Sequence, residues 1–164
     1  MSTNGGEDGE GGIDAALIDE AVDEQDLADA GELQSLSLTR RSIASIGSSL
    51  HGLDSLLHID LSRNLLQSLK GLERCPNLAR LVVYYNKIED CREILRLREN
   101  TNLQELDCRL NPLTRVDYYR SFVLHHLPSL RRLDERDVQT PERQRAPQVG
   151  RTRARARVWC VCGV

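Results

Sequence analysis

One spacing of aliphatic residues returns along this chain and limits what it can fold into. The segments LQSLSLTRR, LLHIDLSRN, LARLVVYYN and LQELDCRLN begin at Leu33, Leu56, Leu78 and Leu103, at intervals of 23, 22 and 25 residues. Alternation at the centre of each copy is that of a short strand with one face turned inward. The inward residues are Leu36 and Leu38, Ile59 and Leu61, Leu81 and Val83, and Leu106 and Cys108. Burying each aliphatic contributes about 1.5–3 kcal/mol, yet one copy cannot cover its own apolar edge. The copies must therefore stack, strand beside strand.

This period and pattern are those of a leucine-rich repeat. The expected class is α/β: a right-handed leucine-rich-repeat solenoid with a parallel concave sheet, short helices or 3-10 turns on the convex side, and a cap at each end. The asparagine closing a copy stands where the chain leaves the strand. Its amide both donates to and accepts from backbone groups that stacking would leave buried and unpaired. Asn64, Asn86 and Asn111 are the expected structural ladder. Arg41 holds that position in the first copy. A guanidinium has no acceptor and resists burial, so Arg41 is expected to face solvent at the edge. In the third copy, EDCREILRLREN has apolar Ile94, Leu95 and Leu97 among charges and reads as a short helix.

Both ends need covers. Residues 1–30 carry ten acids and no base and are expected to be largely disordered, with IDAALIDEA as a short capping helix presenting Ile13, Ala16, Leu17 and Ala21. Residues 31–146 form the repeat domain with its C-terminal cap. There, 117–127 suits a helix packing through Phe122, Val123 and Leu127, Pro128 stops it, and LRRLD supplies a last strand. Residues 147–164 are expected to be a basic, disordered tail. Its Arg-Ala alternation followed by Val-Trp-Cys-Val-Cys is what CG and TG dinucleotide repeats encode, so it is read as an alternative or intron-derived end.

Tyr119-Arg120, Leu127-Pro128, Leu130, Leu133-Asp134, Val138 and Glu142-Arg143 resemble the C-terminal cap of the family containing the spliceosomal A-prime protein and the acidic nuclear phosphoproteins. From Leu33 to Arg145, LQSLSL, IDLSRN, VVYYNKI and the run from Cys108 to Val138 resemble the amino-terminal leucine-rich-repeat domain of the centrosomal protein of seventy-two kilodaltons and its leucine-rich-repeat-containing relative. That resemblance implies a non-catalytic adaptor in centrosome, centriolar-satellite or microtubule organisation, with a centrosomal or cytoskeletal protein partner. In that family a coiled coil follows the domain, and none is expected within residues 1–164. The alternatives are a ribonucleoprotein component, with a nuclear address, and a phosphatase-regulatory repeat protein.

Chemistry is sparse. There is no phosphate-cradling glycine loop and no metalloprotease helix, so no enzyme, cofactor or metal is expected. His125 and His126 are neighbours on a helix and diverge by about 100 degrees, which does not suit chelation. Cys160 and Cys162 fall short of a four-ligand zinc set. Cys75, Cys91 and Cys108 are expected to be reduced thiols, with Cys108 filling the core. His58 and Asp60 share a face and are placed to touch. No apolar run approaches the roughly 20 residues that span a bilayer, and the first residues lack the basic and apolar regions of a signal peptide. A cytoplasmic, cytoskeletal protein is expected, without membrane contact and with nucleic acid disfavoured.

What remains is the face opposite the core. Alternation puts His58, Asp60 and Ser62, then Arg80, Val82 and Tyr84, then Glu105, Asp107 and Arg109 on the concave side, with Arg63, Tyr85 and Leu110 just beyond. Tyrosine and arginine are enriched among interface hot spots. The expected partner-binding residues are Arg63, Arg80, Val82, Tyr84, Tyr85, Asp107 and Arg109. The competing reading is a ladder of ordinary surface contacts with Tyr85 half-buried.

Overall fold

The computed structural model describes residues 12–13, 15–24 and 30–145. The acidic lead and the basic tail with Cys160 and Cys162 lie outside the described residues. Six short strands form one sheet: β1 (Ser35–Ser37), β2 (His58–Asp60), β3 (Arg80–Val82), β4 (Glu105–Asp107), β5 (Arg132–Leu133) and β6 (Arg136–Asp137). They lie in chain order, all pairs parallel except the antiparallel β5–β6 hairpin. In register, Leu36, Ile59, Leu81, Leu106 and Leu133 form one continuous row. This is an α/β leucine-rich-repeat architecture.

The stacking argument accounts for the core. Leu61, Val83 and Cys108 are fully buried. Leu33, Leu56, Leu78, Leu103 and Leu130, which open the coils, make a second buried row, and Ile43, Leu66, Ile88 and Leu113 a third on the far side of the turn. Coils approach closely on the convex side. Gly71 has φ 109°, and a β-carbon there would stand 2.5 Å from the carbonyl oxygen of Gly47, so only glycine fits.

Segment Cys91–Glu99 is a 3-10 helix rather than an α-helix. Three residues per turn place Cys91, Ile94 and Leu97 in one buried line, while Leu95 turns partly outward. Asp90 caps it, its carboxylate accepting from the Arg92 N–H at 2.8 Å. Short 3-10 helices at Leu72–Arg74 and Pro112–Arg115 serve neighbouring coils.

At the first end, α1 (Ala15–Glu24) buries Ile18 and Ala21, and Ala16 is exposed. The expected face was thus wrong at one position. The helix starts at Ala15, so Ile13 precedes it, held by its N–H to the Ser45 carbonyl at 3.2 Å, and the buried stripe runs through Ile18. Arg41 is exposed and pairs with Glu20 of this helix at 2.9 Å. At the other end, α2 (Tyr119–His126) buries Tyr119, Phe122, Val123 and Leu124. The strand expected from LRRLD is β5, and it continues into β6, a hairpin the sequence did not signal. Arg120 ties in the last helix, α3 (Thr140–Arg145): it holds Glu142 at 2.8 and 2.9 Å and donates to the Leu133 carbonyl at 3.1 Å.

Candidate functional site

The asparagines set the geometry on which the concave face is built. Asn64 accepts at Oδ1 from the N–H groups of Arg41 (3.0 Å) and Ile43 (3.1 Å) and donates from Nδ2 to the carbonyls of Leu38 (2.7 Å) and Leu61 (2.9 Å). Asn86 does the same for Leu66 N–H, Leu61 and Val83, and Asn111 for Ile88 N–H, Val83 and Cys108. Each amide serves the coil before its own. The first repeat follows no other repeat, which is why arginine can replace asparagine at position 41.

Sequence reading missed a second ladder. Asn77, Asn102 and Ser129 each precede the first leucine of a coil. Their side chains donate to the carbonyls of Asp54 (2.9 Å), Pro76 (3.3 Å) and Leu103 (2.9 Å) in the coil before. Buried Asn100 joins them, donating to Leu72 (3.0 Å) and Cys75 (2.7 Å). The available signal was the small polar residue in PNL, TNL and PSL.

Across the sheet, side chains at equivalent positions sit in rows. His58, Arg80, Glu105 and Arg132 form one; Asp60, Val82 and Asp107 form the next. Arg80 lies 3.5 Å from Glu105. Arg109 binds Asp107 at 2.8 Å and also Glu135. Those carboxylates raise the affinity of Arg109 for its proton, led by the Asp107 hydrogen bond. The Arg109 guanidinium stands 5.4 Å from the Tyr84 ring centroid, and the Arg63 guanidinium 5.9 Å from that of Tyr85. The two tyrosine rings are 6.3 Å apart. Asp60 does not engage His58: its carboxylate accepts from the N–H (2.8 Å) and the hydroxyl of Ser62.

Arg80, Val82, Tyr84, Asp107 and Arg109 line a hollow of about 280 Å³, together with Asp60, Ser62, Glu105, Arg132 and Glu135. Arg63 and Tyr85 stand on its rim. Arg132 and Glu135 were not foreseen, because the cap coil carries no asparagine to mark its register. Its alignment shows only in Leu130-x-x-Leu133 matching Leu103-x-x-Leu106. The hollow mixes four carboxylates with three guanidinium groups, so its chemistry is recognition of a mixed-charge surface with an aromatic floor.

Rim residues share a backbone conformation. Arg40, Arg63, Tyr85 and Leu110 have φ of 58, 58, 55 and 56°, the left-handed region, each one residue before the asparagine position. Turned outward by it, Tyr85 is 56% and Leu110 58% exposed. Tyr85 thus presents a little over half of its surface to solvent.

Other candidates look structural. The rings of His125 and His126 lie 4.7 Å apart, nearer than neighbours on a helix were expected to be, and His126 packs on Phe122 at 4.5 Å. Among the described residues no three of His, Cys, Asp or Glu are grouped to hold a metal. Nor is any helix among them long and apolar enough to cross a membrane. Burial, with Glu73 and Asp54 nearby, pushes the Cys75 thiol up to about 11, and burial raises that of Cys108.

A leucine-rich-repeat family profile matches residues 49–159. The centrosomal protein of 72 kDa from Mus musculus is 43% identical over 120 residues, which cover 71% of this chain and 19% of that protein. Leucine-rich repeat-containing protein 36 from Mus musculus is 45% identical over 105 residues, 63% of this chain and 14% of that protein. The chain thus spans less than a fifth of either relative. Among solved structures, a chain of the Drosophila melanogaster SNF/U2A′ complex superposes with a TM-score of 0.63 at 23% identity, covering 90% of this chain and 97% of that one. At that identity the likeness concerns the fold.

Proposed function

The chain belongs to the leucine-rich-repeat family, and from that premise we propose that it is a non-catalytic adaptor holding a protein partner against its concave face. The observation that carries the reading is the hollow around Tyr84. Arg109 is fixed beneath the ring by Asp107 and Glu135 before any partner arrives, so little side-chain freedom is lost on binding. A rigid aromatic–arginine pair suits an interface anchor. Carboxylates of Asp60, Glu105, Asp107 and Glu135 around it disfavour a bare phosphate backbone and favour a protein surface of mixed charge.

Likeness to the centrosomal protein of 72 kDa supports an address at the centrosome, its satellites or the attached cytoskeleton. The test is proximity labelling from a tagged full chain, wild type against Tyr84→Ala with Arg80→Ala. Enrichment of pericentriolar proteins is expected, lost in the variant while its circular dichroism and melting are unchanged. An identical labelled set from both would reject the site. Co-purifying small nuclear RNA in place of pericentriolar proteins would reject the address.

A further inference from the structure

We infer that the rim column Arg40, Arg63, Tyr85 and Leu110 seats a short amphipathic helix of the partner, with two carboxylates over the arginines and two apolar side chains over Tyr85 and Leu110. This rests on the concave-face reading and names the chemistry of its occupant.

Charge selects the sign. Arg80 and Arg109 on the floor have carboxylate partners within the fold, whereas among the described residues Arg40 and Arg63 have none. The column is therefore cationic at one end and apolar at the other. Two of the three large hydrophobic residues most exposed in the described fold, Tyr85 and Leu110, are adjacent there. A left-handed backbone costs a residue with a β-carbon roughly 1–2 kcal/mol, and glycine would avoid it. The chain places arginine, arginine, tyrosine and leucine at these positions instead.

Spacing selects the helix. Hydrogen bonds tie the column coil to coil: Arg40 N–H to Ser62, Arg63 N–H to Tyr84 and Tyr85 N–H to Arg109, at 3.1, 2.8 and 2.9 Å. Neighbouring side chains are therefore one strand spacing apart, about 4.8 Å, and the column is about 14 Å long. A helix repeats its face every 5.4 Å, so three turns span about 16 Å and one turn meets each coil. An extended peptide repeats its face every ~6.7 Å, and three such steps overshoot by about 6 Å. The motif is acid, acid, apolar, apolar on successive turns of one helix.

The test is selection from a displayed library of helical peptides about 18 residues long, enough to hold a helix in water, against the full chain. Asparagine tolerates the left-handed region, so Leu110→Asn removes the apolar contact without backbone strain. The enriched pool should carry Asp or Glu one turn apart, followed by Leu, Ile, Met or Phe on the same face. It should bind Arg63→Glu and Leu110→Asn at least about tenfold more weakly, a loss of about 1.4 kcal/mol, with unchanged thermal melts. Lysine in place of the one peptide acid that faces position 63 should restore binding to Arg63→Glu. A basic or uncharged pool, or none, overturns the inference. Binding lost on Tyr84→Ala with Arg80→Ala but kept on both rim variants overturns it too and leaves the concave-face reading standing. Indifference to every variant overturns both.

Discussion

The asparagine ladder is more than a set of separate bonds, because successive amides share acceptors. The Leu61 carbonyl receives both Asn64 and Asn86, and the Val83 carbonyl both Asn86 and Asn111. Asn86→Ala orphans the Leu66 N–H outright but leaves each of those carbonyls one donor. An unpaired buried N–H costs about 1–3 kcal/mol, so with two weakened carbonyls the single variant should lose about 2–4 kcal/mol in urea denaturation. Asn64→Ala added to it strips the Leu61 carbonyl of both amide donors. The double variant should then lose more than the sum of the singles, and a coupling of about 0.5–3 kcal/mol is what shared partners produce. Strict additivity would show that the amides act alone. Aspartate would not rescue either site, since it accepts but cannot donate.

At the scale of elements, the caps answer to different rules from the coils. Asp134, in the turn between β5 and β6, accepts from the Cys108 N–H at 2.9 Å and the Tyr119 hydroxyl at 3.4 Å, holding the cap to the last full coil. Burial raises its proton affinity above the ordinary aspartate value of 3.8, outweighing those two bonds. The folded state therefore binds this proton more tightly than the unfolded chain. Its contribution is fully present below the unfolded value and is lost as pH rises through the folded one. Ionised Asp134 is thus a cost at neutral pH. An asparagine in place of the acid keeps the acceptor without the charge. Asp134→Asn should therefore melt higher than wild type at neutral pH, with the gap closing toward pH 3.8; a lower melt at neutral pH would refute it. The same cap marks the limit of sequence reading. Strands β1 to β4 were legible because each repeats one leucine spacing, and the floor residues Arg80, Tyr84 and Arg109 followed by alternation. Strand β6 was not, since two residues carry no period, and its hairpin depends on Asp134 and Glu135 at φ of 53 and 62°. The left-handed rim escaped for a related reason: arginine, tyrosine and leucine give no local hint of positive φ, which the stacked coils impose.

For the molecule as a whole, the question is whether the stack opens coil by coil or all at once. A solenoid is held by nearest-neighbour contacts, so its ends can in principle fray while the middle stays closed. Against fraying here stand the shared carbonyls, the buried Asn100 amide that reaches back to Leu72 and Cys75, and caps that pin both ends. Loosening any coil leaves buried polar groups of its neighbour unpaired, which raises the cost of partial opening toward that of complete unfolding. The thiols of Cys75, Cys91 and Cys108 report on three successive coils, and all three are buried and outside any disulfide among the described residues. At neutral pH the raised Cys75 and Cys108 thiols stay protonated in the closed state, so they react with a disulfide reagent through opening. In a chain carrying Cys160→Ser and Cys162→Ser, the three should therefore label at one shared rate, with the same denaturant dependence as the loss of circular dichroism. Cys108 lies beside the cap, with Tyr119 and Asp134 near its thiol. If it labels faster than Cys75 while circular dichroism is still native, the cap frays independently and the stack is not one cooperative unit. Asp134→Asn should then slow Cys108 selectively, whereas in a cooperative stack it slows all three alike.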